Sequence, residues 1–331
     1  MRNLIQQRPI LTFFILAFAI GFLATALRVH NPGLVLEFLQ HVKDTRTAPN
    51  IITGVPFALE NPLFWTFYLF PAAPTIAALI IIGLGWGKAG YIDLLDRLRP
   101  WRDGVSARQG ITVYLMVMAV FLSMAGFVFV KVGLEDSPEA LQHVLDRYGG
   151  QAVSIYAMLL VSPLLGPGGL LEEIGWRGYA LPILLKRYSS PLTASVVLGL
   201  IWGAWHFPRD FAILWEGGAA FEQMFGDYTG YILNRAWWFF GVIMSTIIIT
   251  YVYNLTGGSV LSAIVVHNIG NELSVGLTLF TAAHFEFLSF QVSIQDVLSI
   301  GTAIIILLVA GPNLGKGVRW FATDQPNKPA G

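Results

Sequence analysis

Seven polar side chains stand in, or at the ends of, otherwise apolar stretches of this chain: Glu172, Glu173, Arg177, His206, His267, Asn271 and Glu272. Such groups are expensive among apolar helices, so each marks a candidate functional position. Glu173 and Arg177 are four residues apart, share a helical face and can pair. Glu172 points about 100° away around the same helix. Two neighbouring carboxylates are thereby divided: one is neutralised by the guanidinium, and the other faces a separate space, suited to general acid–base work. His206 closes an apolar run, with Trp202 one turn before it. His267 and Asn271, again four apart, share a further polar face, and Asn268 lies off it. An acid pair, two histidines and an amide from three segments can activate water and stabilise an oxyanion. No Ser is visibly paired with a base and cysteine is absent, so hydrolysis by activated water is the natural chemistry. Taken singly, each segment also has a plainer reading. These are solvated acids with a snorkelling Arg at a helix end, an interfacial His in an aromatic belt, and polar residues bonding between bundle helices.

The elements that position these residues are membrane helices. Of 331 residues, 55% are hydrophobic and only 12% charged, against roughly 25% charged in soluble domains. So few charges cannot cover a soluble fold of this size. A net charge of +0 without a basic block excludes a nucleic-acid binder, and the composition excludes a disordered chain or coiled coil. Without cysteine there are no disulfides or thiolate metal sites. Eight stretches approach the roughly 20 apolar residues of a span: 10–27, 63–86, 110–132, 152–171, 191–208, 237–255, 260–280 and 290–311. No strand-length alternation appears, which favours helices over a barrel. The expectation is an all-α polytopic integral membrane protein, with about eight transmembrane helices and a catalytic cavity within helices four to seven. Residues 10–27 read as a retained helix, because no small-residue cleavage site follows. Residues 28–62 and 209–236 read as loops, the former with a short amphipathic helix near 34–43, and 312–331 as a polar tail. With the N-terminus cytoplasmic, twelve Lys and Arg fall on that side and seven on the other, which predicts both termini inside. No internal repeat is visible. The chain divides into N-terminal helices (1–150), a catalytic core (151–285) and a last helix with its tail (286–331).

Three motifs carry a family resemblance. Glu172-Glu173-x-x-x-Arg177, Trp202-x-x-x-His206 and His267-x-x-x-Asn271 resemble those of the CPBP family. That family comprises type II CAAX prenyl endopeptidases and bacteriocin-processing or Abi-like intramembrane proteases. Residues 172–182, Glu-Glu-Ile-Gly-Trp-Arg-Gly-Tyr-Ala-Leu-Pro, look like the prokaryotic branch. The Trp-Gly-Ala-Trp-His-Phe-Pro segment and the Gly257-Gly258-Ser259 lead-in agree. The specific resemblance covers about 160–275. It implies that Glu172 and His206 activate water, that Glu173 and Arg177 hold the site in shape, and that His267 and Asn271 form an oxyanion pocket. Position 202 is Trp where the family usually has Phe, an exchange expected to affect packing more than chemistry.

The metal question stays open at the level of sequence. Glu172, His206 and His267 with a water would make a plausible Zn²⁺ site, but Asn271 is a poor zinc ligand and the His-Glu-x-x-His helix is missing. Activation without a cofactor is favoured, with Zn²⁺ as the alternative. The resulting expectation is an intramembrane endopeptidase acting on a membrane-associated peptide or protein in a prokaryotic plasma membrane; the family name implies a prenylated CAAX protein, and a bacteriocin precursor or leader peptide is an equal alternative. The alternatives are a non-catalytic scaffold or bacteriocin-immunity protein that binds a partner, and a transporter with a proton relay. One tension remains. The span limits put Glu172 near the cytoplasmic end of the fourth stretch and His206 near the outer end of the fifth. Residues that act together share a depth, so the fourth helix must continue beyond 172, or the fifth must be tilted or shifted.

Overall fold

The computed structural model describes residues 2–29, 37, 41, 51–102, 104–135, 161, 163–209, 227–279, 284–287, 290–318 and 320. The polypeptide is built of helices, as its apolar runs demand once backbone groups must be satisfied within each segment. A short α1 (Arg2–Gln7) leads into α2 (Pro9–Val29). The next described helix, α3 (Ile51–Glu60), lies in a stretch expected to be loop. Most of the amphipathic helix expected near 34–43 lies outside the described residues. A 3₁₀ turn then opens α4 (Trp65–Gly85), followed by α5 (Lys88–Asp96) and α6 (Ala107–Glu135).

The site-bearing part begins with α7 (Pro167–Gly175), which passes through one π-helical turn (Trp176–Ala180) into α8 (Leu181–Arg187). Thereafter come α9 (Pro191–Trp205), α10 (Tyr228–Leu255) and α11 (Val260–Leu279). An antiparallel hairpin, β1 (His284–Phe287) with β2 (Phe290–Ser293), precedes α12 (Ile294–Ala310) and sets Glu286 opposite Gln291. The hairpin takes up the start of the expected last span, its strands being too short to register as an alternating pattern.

Among the described residues, five helices are long and apolar enough to cross a membrane: Pro9–Leu27, Pro62–Gly85, Ala107–Met124, Tyr228–Leu255 and Asp296–Asn313. The chain is an all-α polytopic membrane protein. The other expected spans correspond to the helices that carry the motifs, of which α9 has 15 residues and Val260–Asn271 is likewise a short apolar helix. The expected limits of the fourth, 152–171, need correction. The described chain is interrupted at Gly166 and starts a new helix at Pro167, which proceeds to Arg187. Proline suits the first turn of a helix because its missing N–H has no partner there. The limits of the loop expected over 209–236 also change, because α10 already begins at Tyr228.

These corrected limits resolve the depth problem. Glu172 precedes Arg187 by 15 residues and His206 follows Pro191 by 15. At about 1.5 Å per residue, both lie about 22 Å from the turn that joins α8 to α9.

Packing rests on small residues and aromatic rings, since between membrane helices close contact replaces the hydrophobic drive. Ala73, Ala77 and Ala78 of α4 are buried at its contact surfaces. Trp176 and Trp205 are fully buried against each other and against Phe13 and Phe70. Trp205 Nε1–H donates to the Ala17 carbonyl at 3.2 Å, tying α9 to α2.

Candidate active site

Glu172 and Glu173 sit on α7 where the helix meets α9 and α11, and the 100° between them sends them to different partners. Glu173 Oε1 accepts from Arg177 Nη1 at 2.7 Å and stands 2.7 Å from His267 Nδ1. Both Glu173 and Arg177 are fully buried. The four-residue spacing thus forms the expected pair, and the same oxygen also holds a histidine from α11. The Arg177 guanidinium lies 4.6 Å from the centroid of the Trp202 ring. Glu172 Oε2 instead accepts from the indole Nε1–H of Trp202 at 2.7 Å. This bond changes the reading of the Trp at position 202, because the exchange from Phe adds a hydrogen-bond donor as well as ring volume.

His206 ends α9, with Nδ1 2.8 Å from the carbonyl of Trp202, one turn back. A carbonyl only accepts, so Nδ1 carries the proton and neutral His206 presents Nε2 as a lone pair. The imidazole lies between the rings of Trp205 and Trp238, both edge-on, at 4.8 and 5.0 Å. His267 is likewise oriented through Nδ1, here by a carboxylate, and its Nε2 faces away from Glu173. Its ring meets Trp202 edge to face at 5.1 Å. Trp202 therefore touches Glu172, Arg177, His206 and His267.

Small residues on α7 let α11 come this close. A Cβ at Gly168 would lie 2.6 Å from Asn271 Nδ2 and 3.4 Å from His267 Nε2. The two polar groups of the third motif therefore converge on the backbone just ahead of the acids. Asn271 itself is exposed, whereas Glu172, His206 and His267 are each buried.

Asn268, set aside in the sequence because it lies off the His267–Asn271 face, proves to be part of the framework. Its Oδ1 accepts from Gly169 N–H at 2.8 Å, and its Nδ2 donates to the Pro163 carbonyl at 2.9 Å. Gly166, the N-cap of α7, has no side chain to satisfy the first N–H groups. The carboxamide of a different helix caps α7 instead. A helix start of Gly-Pro-Gly-Gly without a capping side chain, together with a buried Asn elsewhere, was the available signal. Thr75 of α4 adds a hydroxyl bond to the Leu171 carbonyl.

The π turn follows directly after the acids. Leu181 N–H reaches back five residues to the Trp176 carbonyl. Pro182 has no N–H for the Gly178 carbonyl and its ring crowds that oxygen, so the helix widens there.

A zinc ion would need these donors to converge on one point. Both histidines are oriented through Nδ1, as metal-bound imidazoles commonly are. However, among the described residues no three His, Asp or Glu side chains come together closely enough to hold one ion. Glu172, His206 and His267, as placed, do not fit a three-ligand zinc centre.

Comparison with known proteins bears on the same segment. Residues 150–273 match the family model of the Rce1-like type II CAAX prenyl endopeptidases. A curated relative, CAAX prenyl protease 2 of Methanococcus maripaludis, is 34% identical over 105 residues. The aligned stretch is 31% of this chain and spans 36% of the relative's length.

Proposed function

Starting from the CPBP family pattern of residues 150–273, which the family model and the archaeal relative support, we propose that this chain is a membrane-embedded endopeptidase. The observation that carries the reading is the pairing of both candidate activating groups with one residue. Glu172 is held by the Trp202 indole and His206 by the Trp202 carbonyl. A water between them gives up a proton to the Glu172 carboxylate or to His206 Nε2 as its oxygen attacks the peptide carbonyl. His267 Nε2–H and the Asn271 carboxamide donate to the oxyanion, where losing one donor typically costs about 10²–10³ in rate. Glu173 Oε1, 2.7 Å from His267 Nδ1, holds the ring with Nε2 turned away from the carboxylate. Collapse breaks the C–N bond, and the proton taken from water goes to the departing amine. No step is routed through a metal, because the three candidate ligands do not converge.

The substrate is a membrane-associated peptide or protein. The name of the archaeal relative makes prenylated CAAX peptides the first class to offer. The lysine and arginine distribution supports Lys186 and Arg187 facing the cytoplasm.

The test is cleavage of mixed prenylated CAAX and unprenylated leader peptides by the purified full chain, read by mass spectrometry. Glu172→Ala is expected to lower the rate at least about 10²-fold, and a chelator to leave it unchanged. Normal cleavage by a folded Glu172→Ala protein would falsify the mechanism, and chelator loss reversed by Zn²⁺ would replace it with a metal-assisted one. Orientation has its own test, because the chain lacks cysteine. Lys186→Cys should react with an impermeant maleimide from the cytoplasmic side and Tyr228→Cys from the opposite side. The reverse pattern overturns the topology.

A further inference from the structure

Trp202 is nearly buried, at 5% exposure, and contacts four polar members of the site through different atoms. Its indole N–H bonds Glu172 Oε2 at 2.7 Å, and its carbonyl faces His206 Nδ1 at 2.8 Å. Its ring underlies the Arg177 guanidinium at 4.6 Å and meets the His267 ring at 5.1 Å. Ring and backbone contacts are available to any aromatic residue here. The N–H is not, and among the described residues no other hydrogen-bond donor is recorded for the Glu172 carboxylate.

We propose that Trp202 is a positioning residue whose indole N–H fixes the Glu172 carboxylate for the reaction. The inference rests on the endopeptidase reading and specifies how that site is held. The Glu172 side chain is buried and ends in a carboxylate that needs a polar partner. A donor on Oε2 restrains the carboxylate and leaves Oε1 to act on water. The bond is charge-assisted when Glu172 is ionised and lies where water does not compete, the condition under which one hydrogen bond matters most. The adjacent carboxylate has other partners, Glu173 Oε1 meeting both Arg177 and His267. Helical geometry parts the two acids, and the indole N–H holds one of them.

Two substitutions isolate the donor. Trp202→Phe keeps an aromatic ring, and 3-benzothienylalanine at position 202 keeps the bicyclic shape while replacing N–H by sulfur. Each is compared with the wild type for peptide cleavage and melting temperature. In ¹⁵N-tryptophan-labelled protein, which has 10 indole signals, the one missing in Trp202→Phe identifies Trp202. That signal is expected downfield and should move upfield in Glu172→Ala. Both substitutions should lower kcat about 10- to 100-fold, the range for a lost hydrogen bond to a charged group. KM should change by less than about twofold. An indole signal indifferent to Glu172→Ala overturns the bond, and unchanged kcat in the benzothienyl protein overturns its role. If the wild type cleaves no peptide, the endopeptidase reading fails, while the indole signal still decides whether the bond exists.

Discussion

Glu172 and Glu173 are adjacent in the chain and opposite in surroundings. Glu173 is fully buried in a cluster with Arg177 and His267, whereas Glu172 meets an indole donor. The separation was legible in the sequence, because helical geometry and a four-residue spacing are local. The second bond of Glu173, to His267 across 94 residues, was not, since no local rule joins those positions. Asn268 makes the same point. Its side chain bridges Gly169 N–H and the Pro163 carbonyl, and it is fully buried. Asn268→Leu keeps the branched shape and leaves both groups unpaired, for an expected loss of about 1–3 kcal/mol. It should lower the Tm in detergent, and peptide cleavage should fall with it because α7 carries Glu172. Unchanged stability would mean that water or a shift of α7 satisfies those groups.

At the level of elements, the end of α7 is shaped by what must pass beside it. A Cβ on Gly175 would lie 2.3 Å from the Pro74 carbonyl carbon, so α4 and α7 touch backbone to backbone. The obstacle is backbone, which cannot rotate away. Gly175→Ala should therefore destabilise by about 1–3 kcal/mol, the usual cost of overpacking, measured as a lower midpoint in denaturant. A Gly175→Ala protein as stable as the wild type would show that the two helices can separate without loss. The π turn is a second device at this scale. Pro182 was visible in the sequence, but its effect depends on the helix continuing through it, which the expected limits of the fourth span did not allow. Hydropathy sees the average of a window. The acids, arginine and glycines of α7 and its π turn lower that average where Glu172 lies.

Across the whole molecule, the first half of the chain clasps the second at the turn between α10 and α11. Arg97 offers its carbonyl to Val260 N–H at 2.7 Å, Arg99 its carbonyl to the Ser259 hydroxyl at 2.6 Å, and Arg102 N–H donates to Thr256 at 3.1 Å. Asp96 braces this loop from one side through Arg102 at 2.7 Å and Arg99 at 3.1 Å. Those hydrogen bonds, Arg102 first, hold the Asp96 carboxyl below its ordinary value of 3.8. A carboxylate lowered on folding stabilises the fold fully above that value, and the contribution fades as pH falls through its folded value. Asp96→Asn should thus melt below the wild type at neutral pH, and the gap should narrow below about pH 3.8. A gap of equal size at both pH values would show that the carboxylate charge is not what braces the loop.

The amino-acid sequence by itself determined that this is a helical membrane protein, because composition and run length follow directly from the solvent the chain must meet. It also determined the Glu173–Arg177 pair, since one helical turn is a local fact. Tertiary structure alone decided that α7 starts at Pro167 and runs on to Arg187, which sets Glu172 and His206 at one depth. It alone decided that Asn268 caps α7 from α11 and that the Trp202 indole reaches Glu172. These contacts join residues 30 to 105 positions apart in the chain. They depend on how closely two helices approach, which glycine permits and only packing fixes.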